Sequence, residues 1–479
     1  MRREPLRWFA LVLASALAAC GRVQRDAPTP LPTDVSAGGT ASGAEPDPPA
    51  EGGSDADAES NAGITITGKL IDSWRQPAAG CQVALGSATA VTDSRGQFRF
   101  EHVRPPYDIA FEVPGVTSPP LSPELWLYHG LTRADPTLQF DRVLVNQATL
   151  LSVEQTNTPT QAAESGAAKL RLGMSFAAPG VELGASDLTS VDEFGRFILS
   201  AQWSGETSIS GTVHSLAWQS PSGDPAGLDL EFLSYQERPF TLSDDPSFGP
   251  LAQVTLDFSP SRVASETYPV TIQGDLDNST TLGSAIVFDS NAAIWLTERK
   301  NPGALSNVAM PVLAGGHALF SASRIGSASA FALVHRRADS SASITTLTIP
   351  TPRTLTTPND GADGVTESTR FAWSDGGSDG ANVSMLHIHS WKRELDVHVV
   401  TAESSATWPS VPALPSSFPK DGSFGWGVEV HGAFATVDDA AGPNGFLVAC
   451  GAVSNCSRGP RLDDGSLTQS SWRNIASAP

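Results

Sequence analysis

Four cysteines, four methionines and few lysines are spread through 479 residues, and no apolar run approaches the roughly 18 residues a membrane-spanning helix needs. Basic residues are also short, 30 against 51 acidic, for a formal charge of -21. That balance repels phosphate backbones and argues against nucleic acid as a partner. Enzyme signatures are sparse. None of the nine histidines has Glu three residues after it, so the H-x-x-E zinc pair of a metallopeptidase is absent, as are H-E-x-x-H and a Walker P-loop. What is abundant is Ser, Thr, Gly, Pro and Val, a balance of strand and turn formers. The length implies about three or four domains. The expected fold is mainly β, with tandem antiparallel β-sandwich domains after a disordered, lipid-anchored N-terminal tether.

The first residues carry an address. "MRREPLR" is a basic n-region and "WFALVLASALAA" an apolar stretch, followed by "LAAC" ending in Cys20. This resembles a bacterial lipoprotein signal with its lipobox. The resemblance implies cleavage of residues 1–19, with Leu17, Ala18 and Ala19 in the protease subsites, and a covalent lipid on Cys20. Two or more acyl chains suffice for stable anchoring, so the mature chain is expected to stay on a membrane without a transmembrane helix. Gly21 stands where many lipoproteins kept in the inner membrane have Asp, which by resemblance favours the outer membrane. The alternative is an ordinary secretory peptide with an accidental cysteine.

Residues 20–62 hold hardly any large apolar side chain, and from Gly21 onward eight acids stand against two arginines. Such a segment cannot bury enough surface to offset its ordering entropy and is expected to be disordered. Its r.m.s. reach would be roughly 35 Å by flexible-linker scaling. In an oxidising compartment Cys450 and Cys456 are close enough to close a small disulfide loop, the alternative being two free thiols. Cys81, in "PAAGCQVAL", reads as a buried core residue.

From Gly63 the text alternates in short strand-length runs between Gly, Pro and Asp turns, the pattern of an antiparallel sandwich. Gly68, Pro77, Gly80, the hairpin Asp93, Gly96 and Phe98, and Tyr107 together resemble the carboxypeptidase regulatory-like domain. That resemblance implies a transthyretin-type sandwich over 63–143 with an accessory role and no catalytic residues. The same D-x-x-G-x-F recurs 99 residues later as Asp192, Gly195 and Phe197, so a repeated sandwich is expected over 144–248. Seven further strand-length runs mark a third β domain over 249–347. Over 348–438, Trp373 and the stripe Phe424, Trp426, Val428 and Val430 resemble a fibronectin type III sandwich, with Phe424 where that family usually carries a corner tyrosine. Residues 439–479 read as added edge strands or a short appendage.

Chemistry is harder to find. Acidic turns at Asp275, Asp277 and Asn278, at Asp360 and Asp363, and at Asp375 and Asp379 invite calcium, but none has the spacing of a complete calcium loop, and turn geometry alone explains them. Trp391 lies in an expected turn, where an exposed ring would suit sugar stacking if other aromatics shared its surface. The histidines gather only in "HIHSWKRELDVH", residues 387–398. A hairpin with its loop centred between Lys392 and Arg393 sets residue 389 against 396 and 387 against 398. His387, His389, Asp396 and His398 then share one outer face, while Leu386, Ile388, Leu395 and Val397 form a core stripe on the other. Imidazoles and a carboxylate at cross-strand distance suit Zn, Cu or Ni, whereas the same parity also describes an ordinary solvent face.

The expectation is a non-catalytic, lipid-anchored envelope protein with a binding, adhesion or scaffolding role. It needs no cofactor beyond the lipid, and its partner is a membrane together with an envelope protein or glycan. The alternatives are an array of carbohydrate-binding modules and a hydrolase whose triad assembles across distant strands.

Overall fold

A computed structural model describes residues 63–72, 76–114, 116–117, 120–140, 147–156, 170–177, 181–182, 186–187, 196–203, 208–221, 228–243, 252–257, 262–274, 276–289, 293–326, 330–374, 383–391, 395–411, 413–414, 422–431, 434–443 and 465–477. Strands dominate throughout. The signal, the acidic segment, Cys20, Cys450, Cys456, Asp192 and Gly195 lie outside the described residues.

The first module runs β1 (Ile64–Ile71), β2 (Gln82–Leu85), β3 (Ala88–Val91), β4 (Gln97–Val103), β5 (Tyr107–Val113), β6 (Glu124–Leu131) and β7 (Thr137–Gln139). Its two layers are ordered β4-β1-β7 and β3-β2-β5-β6, with β1 antiparallel to β4 and parallel to β7. Alternation drives this arrangement: Ile66 and Leu70 of β1, Phe98 and Phe100 of β4, and Ile109, Phe111 and Val113 of β5 all point into one core.

The D-x-x-G-x-F motif acquires a physical meaning here. Asp93 Oδ1 accepts the backbone N–H groups of Arg95 and Gln97, each at 2.8 Å, and closes the turn. Gly96 adopts φ +72°, and a Cβ there would run into the carbonyl oxygen of Leu70. Phe98 pairs across the ladder with Gly68, and the far end of its ring fills the space beside that glycine, where a Cβ would meet Cε2 at 2.5 Å. The motif builds a turn and a core contact.

The second module repeats this topology with one short extra strand, Val181–Glu182, paired on the outer side of β11: β8 (Gln147–Thr156), β9 (Leu170–Ala177), β10 (Ser186–Asp187), β11 (Arg196–Trp203), β12 (Ser208–Gln219), β13 (Glu231–Ser243) and β14 (Ala252–Asp257). Its layers are β11-β8-β14 and β10-β9-β12-β13, again with β8 antiparallel to β11 and parallel to β14. Phe197 is the second residue of β11, as Phe98 is of its counterpart β4, and pairs with Val153. The module closes with β14, so it runs past residue 248 to at least Asp257: a final parallel strand returns to the first, which local periodicity cannot reveal.

A third copy follows, which the sequence did not mark as a repeat: β15 (Ser265–Gln273), β16 (Thr280–Phe288), β17 (Ala293–Lys300), β18 (Leu305–Pro311), β19 (Gly316–Ile325), β20 (Phe331–Arg337) and β21 (Thr345–Thr348). Its layers are β18-β15-β21 and β17-β16-β19-β20. Trp218 and Phe232 of the second module enter the same core as Ile286, Phe288 and Phe320 of the third.

The last module holds β22 (Leu355–Thr357), β23 (Ala362–Val365), β24 (Phe371–Trp373), β25 (Ser384–Ser390), β26 (Asp396–Thr401), β27 (Ser405–Ala406), β28 (Ser423–His431), the short α1 (Val437–Ala440), β29 (Gly465–Gln469) and β30 (Arg473–Ser477). Its small layer is β22-β24-β27. Phe424, Trp426, Val428 and Val430 are all buried, as is Trp373. The C-terminal strands are not an edge. β29 sits between β20 of the third module and β28, antiparallel to both, because both neighbours offer an unfilled ladder.

On the other side β26 runs parallel to β6 of the first module, pairing Asp396 with Glu124 and His398 with Trp126. One sheet therefore passes unbroken through β17-β16-β19-β20-β29-β28-β25-β26-β6-β5-β2-β3. At about 4.8 Å per strand step its path is roughly 50 Å long. Val437 and Ala440 of α1 complete the first module's core from the far end of the chain.

Candidate metal centre

β25 and β26 form the hairpin that carries the histidines, with residues 392–394 outside the described set. Leu386, Ile388, Val397 and Val399 are buried against Phe371, Trp373 and Trp426. Strand parity then turns His387, His389, Asp396 and His398 to the opposite face, and the ladder pairs His387 with His398 and His389 with Asp396.

That face is not a solvent face. β28 flanks it on one side and β6 on the other, with Gly427 beside His387, Gly425 beside His389, and Trp126 beside His398. The Trp126 indole stacks on His398 at 4.0 Å between ring centres, and His398 stacks in turn on His387 at 4.2 Å. Trp472 meets His387 edge-on at 5.0 Å, and Trp391 meets His389 edge-on at 5.1 Å. Gly425 makes room for both indoles: a Cβ there would stand 3.0 Å from Trp391 Cζ2 and 3.2 Å from Trp472 Cε3. The expectation that His398 lies on an outer face is thereby corrected. It is buried, because a parallel pairing with a strand 272 residues earlier in sequence brings Trp126 over it.

The electrostatics separate the histidines. His389 Nδ1 is 2.7 Å from Asp396 Oδ1, which also accepts the Ser390 N–H at 3.3 Å. Burial lowers the pKa of His387, and although Glu429 and Asp396 pull the other way, the ring is favoured as neutral imidazole. Its Nε2 is buried with no hydrogen-bond partner. Burial pushes the Glu429 carboxyl up, but the interaction with His431, a hydrogen bond at 3.0 Å, outweighs it and holds the group below the usual carboxylate range.

One ligand atom each from His387, His389 and Asp396 falls within 4.8 Å of the others, the one such grouping among the described residues. Two imidazoles and a carboxylate at that spacing have the chemistry of a borderline divalent ion. His398, held face-on between Trp126 and His387, stays outside the set.

The other sequence candidates have structural roles or lie out of view. Asp277 Oδ1 accepts the Ser279 N–H at 2.7 Å and the Ser279 hydroxyl at 2.5 Å and so serves a turn, whereas Asp360 Oδ1 accepts the Asn474 N–H at 2.7 Å and ties its loop to the C-terminal strand β30. Asp275, Asp375 and Asp379 are outside the described residues. Cys81 is a buried free thiol whose pKa is raised by burial. Gly376 to Gly380 spell G-x-S-x-G and lie outside the described residues.

Sequence reasoning missed the surround: Trp126, Trp472, Glu429 and His431. A signal was available in "SFGWGVEVH", where Gly425, Gly427, Glu429 and His431 take the parity opposite the apolar stripe. Alternate glycines on a strand mark a close approach.

No family model matches the chain, and no curated protein matches it. Among solved structures it is similar to the Bacillus anthracis TIE protein at 9% identity and a TM-score of 0.15, covering 60% of this chain and 50% of that one. A putative adhesin from Bacteroides ovatus is 10% identical with a TM-score of 0.14, covering 40% and 73%. A Ca2+-stabilized ice-binding adhesin of an Antarctic bacterium is 11% identical with a TM-score of 0.13, covering 77% and 95%. The chain thus spans half the length of the TIE protein, and likenesses this slight say nothing about its function.

Proposed function

We propose that the chain is a lipid-anchored, non-catalytic protein of the bacterial cell envelope, with a binding, adhesive or scaffolding role. In this reading Cys20 carries the lipid, Gly21 directs the protein to the outer membrane, and segment 20–62 holds the folded part away from the bilayer. The observation that carries the reading is the unbroken sheet. Beads on flexible linkers would turn independently, whereas strands shared between the first, third and last modules hold them in one orientation. A stiff body on a long tether suits presentation of a surface to a partner.

The test has two parts. Full-length protein should incorporate labelled palmitate and sediment with membranes, and Cys20→Ser should abolish both. Soluble chain beginning at Gly63 should retain an envelope protein or glycan from extract. Unlabelled wild-type protein, or bait that returns nothing, would overturn the reading.

One observation favours a glycan as the partner. Trp391 is 54% exposed and shares with the partly buried Trp472 the surface over Gly425. Aromatic faces side by side offer stacking area to a sugar, and loss of polysaccharide retention in Trp391→Ala would support this version.

A further inference from the structure

We infer that His387, His389 and Asp396 form a site for a divalent transition ion of the zinc class, recessed beneath Trp391 and Trp472 and fixed to the seam between the first and last modules. The inference does not depend on the proposed adhesive role.

Two observations converge on it, the grouping of the ligand atoms and an unpartnered nitrogen. The ligand atoms lie within 4.8 Å of one another on the two strands of one hairpin, and the ladder fixes their spacing. A tetrahedral ion with bonds of about 2.0–2.1 Å needs neighbouring ligand atoms about 3.3 Å apart, so binding would require the three side chains to adjust from their present spacing. His387 Nε2 is buried without a hydrogen-bond partner, and an unsatisfied buried nitrogen is costly unless something occupies its lone pair or takes its proton. The His389 to Asp396 contact at 2.7 Å already brings an imidazole and a carboxylate together.

The surroundings favour selectivity over adventitious binding. His398 and Trp126 wall one side by stacking, and the two edge-on indoles limit approach from above. Three protein ligands leave a coordination position for water or for a donor group from a bound partner. Asp396 also stands at the module seam. Its N–H donates to Pro123 O at 2.9 Å, and its ladder partner is Glu124. An ion held by Asp396 and two β25 histidines would therefore tie β25 to the strand that joins the modules, and bound metal should stabilise that seam by mass action.

The experiment uses full-length protein purified in detergent and stripped with chelator. Titration with Zn2+ should show one ion per chain, with a rise in melting temperature reversed by chelator. His389→Ala and Asp396→Asn should each weaken uptake by more than the roughly 10–100-fold that loss of an outer-shell partner commonly causes. His317→Ala, at an exposed pair with Asp289, should leave uptake unchanged. Should a variant fail to fold, Cu2+ bound to the wild-type protein gives a separate reading, since its electron spin resonance must show hyperfine coupling to two imidazole nitrogens. Absence of stoichiometric uptake, uptake that survives both substitutions, or coupling to fewer than two nitrogens would overturn the inference.

Discussion

Replacing Gly68 by alanine tests the account of the D-x-x-G-x-F motif, because two physical effects predict opposite signs. Glycine inside a strand is destabilising relative to alanine by roughly 0.5–1 kcal/mol through backbone entropy, so an unobstructed Gly68→Ala would stabilise. The Phe98 ring, however, occupies the site of the new methyl, with Cε2 and Cε1 at 2.5 and 2.8 Å from it. Phe98 is 3% exposed and packed within the first core, so displacing it should cost about 1–3 kcal/mol, as overpacking usually does. Phe98→Ala alone should cost about 3–5 kcal/mol. In the double variant the methyl enters vacated space, and the total should fall short of the sum by about 1–3 kcal/mol. Hydrogen exchange read by mass spectrometry on peptides covering 64–71 and 97–103 gives the local opening free energies without requiring the whole chain to unfold in two states. A neutral or stabilising Gly68→Ala, or strict additivity in the cycle, would refute the reasoning.

Two further outcomes follow from the same contacts. Burial raises the Asp438 carboxyl, but hydrogen bonds from the Thr132 hydroxyl and the N–H groups of Thr132 and Arg133 outweigh it and lower its pKa from 3.8. A depressed carboxyl stabilises the fold above its unfolded value and loses that contribution as the pH falls through the folded one. Asp438→Asn should therefore melt below wild type at neutral pH, by about 0.5–1 kcal/mol once solvent screening of this largely exposed group is allowed for, and thermal melts of the two should converge only as the pH falls below 3.8 and through the lower folded value. Gly425→Val should drive Trp391 and Trp472 off the sheet at about 1–3 kcal/mol, seen as a red shift and greater quenching of tryptophan fluorescence, while unchanged emission would count against the packing described.

Legibility followed the range of the interactions. The β class came from alternation in β1, β4 and β28, because a strand with one buried face writes its period into neighbouring residues. The pairing of His389 with Asp396 was readable for the same reason: a one-residue slip would have turned the histidines into the apolar core and Leu386 and Ile388 away from it. The repeated D-x-x-G-x-F motif at Asp93 and Asp192 pointed to two like modules, but the third copy was hidden. Topology can persist where the turn that first marked it has changed.

The sequence by itself determined strand periodicity, the sharp turns at Asp93 and Gly96, the parity of the histidine hairpin and the features at Cys20 from which anchoring is proposed. These depend on residues within one or two strands of each other. Tertiary structure alone decided that β6 lies beside β26, that β29 fills the gap between β20 and β28, and that Trp126, Trp391 and Trp472 close over the histidines. Backbone hydrogen bonds carry no residue identity, so a sheet edge accepts any strand of suitable length. Which one it receives is settled by how all the faces pack at once.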